Sequence, residues 1–313
     1  MDDGNIIVIG AGLAGLSCAR MLADAGRAVV VLDKGRGIGG RLSTRRTKDG
    51  WQFDHGAQYV RAVSDGFEAL LTKMMEQGAA ETWDNGSDMR PFVGVPGMTA
   101  LAKFIGAGLD IRLKTQVTRV SPTDAGWMVT DGTDIWPCRR VVITTPAPQI
   151  APLVEDDGII AGKIASVRMA PCLTLMAAFE GDRPAAFACR RDPTDPIAWI
   201  AHDGSKPGRP HTNAWVAQAG PEWSLENLEL DPAEIARRMV PMLCDRIGAD
   251  EGAVRYVTAH RWRYATVTDP LKEPFVRNDA RTLYAGGDWC LGPLAEAAWA
   301  SGSAIADDIL RQE

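Results

Sequence analysis

The sequence IIVIGAGLAG occupies residues 6–15 and determines the expected fold of the N-terminal part of the chain. Its first four residues are apolar and β-branched, a pattern typical of a strand buried on both faces of a parallel sheet. Apolar and small side chains then recur along one helical face up to Ala25, and Gly26 is placed to cap that helix. A second apolar strand at residues 29–32 leads to Asp33. The sequence therefore predicts a βαβ unit.

The glycines between this strand and helix have the spacing of a dinucleotide-binding turn. Gly10 permits the tight turn, Gly12 lets the backbone approach a pyrophosphate, and Gly15 lets the helix pack closely on the strand. Asp33 lies 23 residues after Gly10, close to the separation at which an acidic residue meets the adenosine ribose. Because strand, helix and acid are all in place, the motif predicts a bound dinucleotide.

A second glycine run, residues 35–40, follows at once but leads into no apolar helical stripe. It does not predict a second nucleotide fold, which disfavours the two-nucleotide layout of disulfide reductases. We expect residues 39–41 to form a turn that brings the Arg41 cation to the pyrophosphate, with a flexible basic loop as the alternative. Arg45 and Arg46 are expected to be solvated or paired elsewhere.

The C-terminal part of the sequence predicts a strand at residues 282–285, a glycine turn at 286–288 and a helix over 294–310 that is rich in small residues. Small residues allow backbones to approach closely. The N-terminus of such a helix, placed at a flavin, would stabilise the negative charge that develops on reduction. Asp288 is a candidate to hold a ribitol hydroxyl, and the alternative is an ordinary N-capping acid.

Composition and charge argue against several other classes of protein. The chain has 46% apolar residues, a net charge of −6 and no apolar run near the roughly 18 residues that a membrane span requires. Basic residues are scattered, cysteines form no Cys-x-x-Cys pair and histidines lack ligand-like spacing, so no nucleic-acid or metal site is expected. The start of the sequence lacks the pattern of an export signal. We therefore expect a cytoplasmic protein with small-molecule partners, and the sequence carries no signal for an oligomeric state.

Two sets of motifs point to a known family. Motifs shared by many FAD enzymes occur at residues 10–15, 33, 39–41 and 286–288. More particular segments are GAQY at residues 56–59, TPAPQI at 145–150, DGSKPGR at 203–209 and WRYATVT at 262–268. Through both sets the chain resembles the flavin amine-oxidase-like superfamily, and within it the bacterial renalase-like proteins, over nearly its whole length.

This resemblance implies an α/β fold with a glutathione-reductase-type, Rossmann-like FAD-binding domain and an α+β substrate lobe, as in amine oxidases and renalases. The implied domains are a discontinuous FAD-binding domain of residues 1–62, 96–150 and 276–313, and a substrate-binding lobe of residues 63–95 and 151–275.

The resemblance also implies an FAD-dependent oxidase that passes hydride from the 1,2- and 1,6-dihydro isomers of NAD(P) to FAD and then to O2, giving NAD(P)+ and hydrogen peroxide. A dihydronicotinamide becomes aromatic when it loses hydride, so positioning suffices and no general base is required. An amine oxidase or desaturase on the same scaffold is the first alternative, and a non-catalytic flavin-binding regulator is the second. FAD is expected to be non-covalent, because neither Cys290 nor His55 lies in a recognised attachment sequence.

The expected site residues fall into two groups. Those expected at the cofactor are Gly10, Gly12, Leu13, Ala14, Gly15, Asp33, Lys34, Gly40, Arg41, Leu42, Gly56, Ala57, Gln58, Tyr59, Val117, Thr145, Gly287, Asp288 and Leu294. Those expected to position the substrate are Gln58, His202 and Trp262. Trp262 would stack on the nicotinamide and His202 would touch its carboxamide, with plain packing and a structural histidine as alternatives. Lys206 and Arg209 would meet substrate phosphates or simply be solvated on a loop.

Overall fold

The computed structural model describes residues 5–87, 90–154, 158–181, 185–210 and 212–312. The chain forms two compact units by the packing of its backbone. The first unit consists of Met1–Gly40, Ala102–Met169 and Val267–Glu313, and the second consists of Arg41–Leu101 and Ala170–Thr266. Within the described residues, no helix combines the length and apolar character needed to cross a membrane.

The described strands are β1 (Ile6–Ile9), β2 (Val29–Asp33), β3 (Thr44–Arg46), β4 (Gln52–Asp54), β5 (Ala80–Thr82), β6 (Phe92–Gly94), β7 (Asp110–Leu113), β8 (Arg119–Thr123), β9 (Gly126–Thr130), β10 (Ile135–Cys138), β11 (Arg140–Ile143), β12 (Arg168–Phe179), β13 (Cys189–Arg191), β14 (Trp199–His202), β15 (Ala214–Gln218), β16 (Val254–Asp269), β17 (Val276–Arg277) and β18 (Leu283–Ala285). The described helices are α1 (Leu13–Asp24), α2 (Asp65–Glu76), α3 (Thr99–Gly106), α4 (Gly158–Ile164), α5 (Pro221–Glu226), α6 (Pro232–Ile247), α7 (Asp288–Leu291) and α8 (Ala295–Leu310).

The first unit contains a six-stranded sheet in the order β17-β18-β11-β1-β2-β7. Strand β1 lies in the middle and pairs in parallel with β2 and β11, and all four of its side chains are buried. An antiparallel meander of β8, β9 and β10 packs into the same core. The predicted α/β fold with a Rossmann-like domain is confirmed by this sheet. A β-branched strand that is buried on both faces occupies its centre, as expected for a parallel sheet.

Helices α1 and α8 pack against one another through small residues. A Cβ atom on Gly302 of α8 would overlap the backbone of Ala14 in α1, and one on Gly15 would overlap the carbonyl oxygen of Gly10. Both glycines are therefore required by close approach of backbone to backbone. The small residues of the C-terminal helix serve this contact.

The second unit is built on a five-stranded sheet in the order β13-β14-β15-β12-β16. Along β12, Leu175 and its alternate neighbours pack with α6, whereas Met176 and Ala178 pack with Phe53 of the β3–β4 hairpin. We call these two sides of the sheet the helix face and the hairpin face. Strand periodicity of two thus divides the side chains of this unit between two separate cores.

The division by packing differs from the expected domain boundaries in four segments. Residues 41–62 and 96–101 belong to the second unit, because Phe53 packs on the five-stranded sheet and the Met98 amide donates to Asp54. Residues 151–169 and 267–275 belong to the first, where the hydrophobic core includes side chains of α4 and the segment before β17.

Candidate functional site

The first glycine turn lies at the carboxyl ends of the parallel strands. Gly10 has a φ of 109°, a conformation that favours glycine, and a Cβ there would lie 2.8 Å from the Thr144 hydroxyl oxygen. Gly12 caps α1 without a side-chain hydrogen bond, and a Cβ on it would meet nothing within 4 Å. The turn therefore leaves open space at the start of α1, which includes Leu13 and Ala14.

The second glycine run folds back on this turn. The Gly39 amide donates to the Ala11 carbonyl at 2.8 Å, and a Cβ on Gly40 would lie 3.5 Å from the Cα atom of Gly12. Asp33 fixes both turns, since its carboxylate accepts from the amides of Ala11 and Gly35, each at 2.6 Å. The structure thus brings the sequence-predicted Gly10, Gly12, Asp33 and Gly40 together within the first unit.

Other predicted cofactor residues of the first unit lie around the same sheet edge. The Asp33 carbonyl accepts from the Thr115 amide at 2.9 Å, just before Val117 enters the core. The Lys34 ammonium donates a hydrogen bond to the side-chain oxygen of Gln149 at 3.3 Å. Thr145 follows β11, and its buried hydroxyl oxygen has no hydrogen-bond partner among the described residues.

The final strand and helices complete this edge. The Gly287 amide donates to the Ser301 hydroxyl at 2.9 Å, and Asp288 is a buried residue at the start of α7. Leu294 caps α8 in an extended conformation. Cys290 lies in the core, where burial raises the pKa of its thiol to about 12, which is not the state of a reactive cysteine.

The remaining predicted cofactor residues belong to the second unit. Arg41 donates to the Ala265 carbonyl at 2.8 Å, and the adjacent Leu42 is buried. A Cβ on Gly56 would overlap the Arg41 carbonyl, to which the Ala57 amide donates at 2.7 Å. These backbone contacts fix the course of residues 56–59 across the second unit.

Side-chain amides hold the same segment in place. The Gly56 carbonyl accepts from the Gln58 amide at 3.1 Å and from the Gln218 amide of β15 at 2.7 Å. The Tyr59 ring lies 5.8 Å from the Trp199 ring, centroid to centroid. Gln58 is buried and its side-chain oxygen accepts from Lys206 at 3.0 Å, so its polar atoms are engaged within the protein.

A buried group of charges lies under Gln58. Asp54 pairs with Arg209 at 2.5 Å and with Lys206 at 3.5 Å, and Lys206 also pairs with Asp203 at 2.5 Å. Burial favours a raised pKa for Asp54, but the two cations reverse this and leave its pKa lowered. Lys206 and Arg209 are therefore neither solvated on a loop nor available to substrate phosphates, since they are only 2% and 5% exposed.

The hairpin face of the sheet carries a cluster of aromatic and imidazole rings. Trp262 donates from its indole nitrogen to the His55 carbonyl at 2.7 Å, and the two rings stack with centroids 5.4 Å apart. His260 meets His55 edge-on at 5.0 Å. Burial is the main cause that lowers the pKa of each histidine to about 4. The charges of His260 and Arg45 add to it for His55, and the charge of Arg45 adds to it for His260. Both imidazoles are therefore neutral at pH 7.

The structure does not bring His202 to this cluster. His202 packs on Trp215 at 4.7 Å, and Trp215 belongs to the core on the helix face. The two residues are partners in the β14–β15 ladder, so their side chains leave the sheet on the same side. Burial lowers the pKa of His202. Trp262 lies on the opposite face, so His202 and Trp262 do not share a pocket on this sheet.

Sequence reasoning missed His260, Gln218 and Arg45 as neighbours of the predicted site, and considered His55 only as an attachment point. A usable signal lay in the alternation of Tyr256, Thr258, His260 and Trp262 along β16. These residues point to one face of a strand, and that face could have been examined as a unit.

Two family models match the chain. A model of the NAD(P)-binding Rossmann-like domain matches residues 8–76, and the model of the flavin containing amine oxidoreductases matches residues 74–310. The chain belongs to the flavin containing amine oxidoreductase family. The second match covers most of the chain and includes the C-terminal strand and helix.

Curated relatives match over short segments. A 4,4'-diapolycopene oxygenase from Methylomonas sp is 46% identical over 71 residues, which are 23% of this chain and 14% of that protein. An L-amino-acid oxidase from Mus musculus is 49% identical over 53 residues, which are 17% of this chain and 8% of that protein. The matched segments thus span a small part of the length of these relatives.

Solved structures of amine oxidases share the fold over nearly the whole chain. Cyclohexylamine oxidase from Brevibacterium oxydans IH-35A superposes with a TM-score of 0.77 and 13% identity, covering 99% of both chains. A putrescine oxidase mutant with redesigned cofactor binding gives a TM-score of 0.74, also with 13% identity and 99% coverage of both chains. At this identity the likeness concerns the fold.

The cofactor of this family member is FAD, and the chain is an FAD-dependent oxidoreductase. The non-catalytic regulator considered from the sequence is therefore not supported. The first unit fits the cofactor chemically, because a pyrophosphate needs open space and backbone donors at Gly12. The buried Thr145 hydroxyl without a partner is a second group that a polar ligand would satisfy.

Proposed function

We propose that the enzyme oxidises the 1,2- and 1,6-dihydro isomers of NAD(P), releasing NAD(P)+ and hydrogen peroxide. When bound, FAD would supply the acceptor for the two electrons of the hydride and the route by which they reach O2. The residues of the first unit described above would hold it, and Trp262 with its neighbours would receive the nicotinamide ring.

The observation that carries this proposal is the character of the hairpin face. Its strand positions around Trp262 present His260 and Thr258 of β16 and Gln218 of β15, with His55 of the hairpin stacked on the indole. None of these side chains is acidic. Asp54 is adjacent in sequence to His55 but is already paired with Lys206 and Arg209. A flat, uncharged aromatic ring suits such a surface better than a compact cation does.

Electrostatics favours the same class of substrate. Burial, and after it the charge of Arg45, lowers the pKa values of both His55 and His260, so positive charge is disfavoured at this face. An alkyl amine is mostly protonated at neutral pH and would enter against that field. A dihydronicotinamide dinucleotide has a neutral ring and carries its negative charges on its phosphates.

The chemistry also demands little of the protein. Loss of hydride makes the nicotinamide ring aromatic, so the chain has only to orient the ring and exclude competing poses. The neutral imidazoles and the indole provide flat surfaces for orientation. Gln58, whose polar atoms are engaged with Lys206 and the backbone, would act by holding residues 56–59 rather than by touching substrate.

An amine oxidase remains the second candidate function. It is favoured by the family match and by the shared fold with cyclohexylamine oxidase. That function requires a face able to take an amine, and the charge of Arg45 weighs against it.

Anaerobic reduction of the flavin separates the two functions. Isomers of dihydro-NAD(P), ordinary 1,4-NADH and a panel of primary and secondary amines are mixed with the purified holoenzyme, and the loss of flavin absorbance is followed. We expect rapid bleaching by the 1,2- and 1,6-isomers and much slower bleaching by the other donors. In air, each turnover should consume one O2 and give one peroxide and one NAD(P)+. Rapid bleaching by an amine, with no response to any dihydronicotinamide isomer, would replace the proposal with the amine-oxidase alternative.

A further inference from the structure

We propose that Arg45, with the Thr258 hydroxyl, forms a binding site for a phosphate group of the dinucleotide substrate. The inference rests on the proposed function and adds a specificity-determining residue to it. From the sequence, Arg45 was expected to be solvated or paired elsewhere, and its surroundings in the structure support a different role.

Pairing of the β3–β4 hairpin determines where Arg45 points. Arg45 is opposite Phe53 and Thr44 is opposite Asp54. Paired residues of an antiparallel ladder project to the same side, and Phe53 packs on the hairpin face of the sheet. Arg45 therefore projects toward the hairpin face, whereas Asp54 projects away from it and toward the Thr44 hydroxyl, which donates to it at 2.6 Å.

The two sides of this hairpin differ in charge compensation. On the Asp54 side, Arg209 and Lys206 are matched by two buried carboxylates. On the other side, the half-buried Arg45 makes one hydrogen bond, to the Thr258 hydroxyl at 3.5 Å, among the residues that the structure describes. A guanidinium carries five N–H donors in a planar fork, so most of the donors of Arg45 are free for a ligand. That fork matches the geometry of a phosphate.

Its neighbours make an anion the suitable ligand. The rings beside Arg45 are neutral imidazoles and an indole, which offer no negative charge to compete with a bound anion. Burial is the main cause of the lowered pKa values of His55 and His260, and the positive charge of Arg45 lowers both further. An anion bound at Arg45 would offset this charge.

The distance along β16 is suited to one substrate molecule. Thr258 precedes Trp262 by four residues, which is roughly 13 Å of strand. In a nicotinamide nucleotide the ring and the first phosphate are separated by a ribose, and the long arginine side chain bridges part of the remaining distance. The nicotinamide half of one dinucleotide would therefore place its ring at Trp262 and its phosphate at Arg45.

The test compares the Arg45→Gln and Arg45→Lys holoenzymes with wild type. Two hydride donors of the same dihydro isomer are used: the dihydro-dinucleotide and the phosphate-free N-methyl-dihydronicotinamide. We expect Arg45→Gln to raise the half-saturating dinucleotide concentration in anaerobic flavin reduction by about 10-fold to 100-fold, the usual effect of losing a charged hydrogen bond. The N-methyl donor should be unaffected, and Arg45→Lys should recover part of the loss. Arg46→Gln is the matched control, because this neighbouring arginine is exposed and projects to the other side of β3.

Binding of inorganic pyrophosphate to the holoenzyme, measured by calorimetry, gives a readout that does not depend on turnover. Wild type and Arg46→Gln should bind it more tightly than Arg45→Gln does. If neither donor bleaches the flavin yet pyrophosphate binding still depends on Arg45, the proposed function fails and the anion site stands. Equal pyrophosphate binding by wild type and Arg45→Gln, or an equal loss for both donors, would overturn the role of Arg45.

Discussion

The two units of the molecule build their functional surfaces from different material. In the first, the site consists of backbone: the turns at Gly10–Gly12 and Gly39–Gly40, held by the carboxylate of Asp33. In the second, it consists of side chains drawn from separate segments, such as His55, His260 and Trp262. A site made of backbone tolerates no side chain where the ligand must approach, whereas a site made of side chains is sensitive to charge and to ring shape. Mutations in the two units should therefore affect different properties of the protein.

The largest effect is expected at Gly12. A Gly12→Val protein should fold normally and lose FAD completely, because the added side chain meets no protein atom but occupies the space needed by the pyrophosphate. Flavin absorbance per protein and the circular dichroism spectrum measure the two quantities. Gly162→Val is the matched control, since a Cβ at this α4 glycine also meets nothing within 4 Å. Full flavin content in the Gly12→Val protein would show that this turn is not the pyrophosphate site.

The next effect is expected in the buried charges of the second unit. Lys206→Met should lower the free energy of unfolding by about 3–5 kcal/mol, because it removes the cation paired with the buried Asp203 and leaves Asp54 with Arg209 alone. Chemical denaturation measures the change. Arg237→Met removes an ion pair to Glu234 on the exposed surface and should change little. Similar stability of these two variants would mean that the buried network is dispensable.

A smaller effect is expected from the neutral histidines of the hairpin face. Unfolded histidine binds a proton below about pH 6.5, whereas folded His55 does so only near its pKa of about 4. The free energy of unfolding should therefore fall as the pH is lowered from 6.5 to 4, by on the order of 1–3 kcal/mol for His55. Burial opposes protonation of His55 most strongly, His260 and Arg45 oppose it further, and Asp54 and the backbone of Phe53 favour it.

His55→Gln should show a shallower decline over that pH window. Asp203, whose burial raises its pKa to about 6, titrates in the same range in both proteins, so the difference between them isolates His55. Measurement at pH 8 provides the control for lost packing, because the imidazole is neutral there in both folded and unfolded states. Parallel pH profiles for wild type and variant would refute a neutral, buried His55.

The same contrast explains what the sequence could predict. The spacing of Gly10, Gly12 and Gly15 was informative because each backbone position demands a residue without a side chain. The Pro and Gly content of residues 203–209 suggested an exposed loop. Lys206 and Arg209 are instead buried and paired with Asp54, which lies about 150 positions away in the chain. The sequence suggested that His202 and Trp262 share a pocket. The side of the sheet to which His202 projects follows from its pairing with Trp215, and the sequence does not give that register.

The contact between Gly302 and Ala14 has a consequence for the timing of synthesis. Ala14 is made early, whereas its packing partner in α8 is added 288 residues later. At the usual rate of translation this interval lasts roughly 15 to 60 s. Throughout it, the α1 surface that will receive α8 has no native cover, and β18 has not yet joined β11. The first unit is therefore begun before the second unit is made and completed only after it.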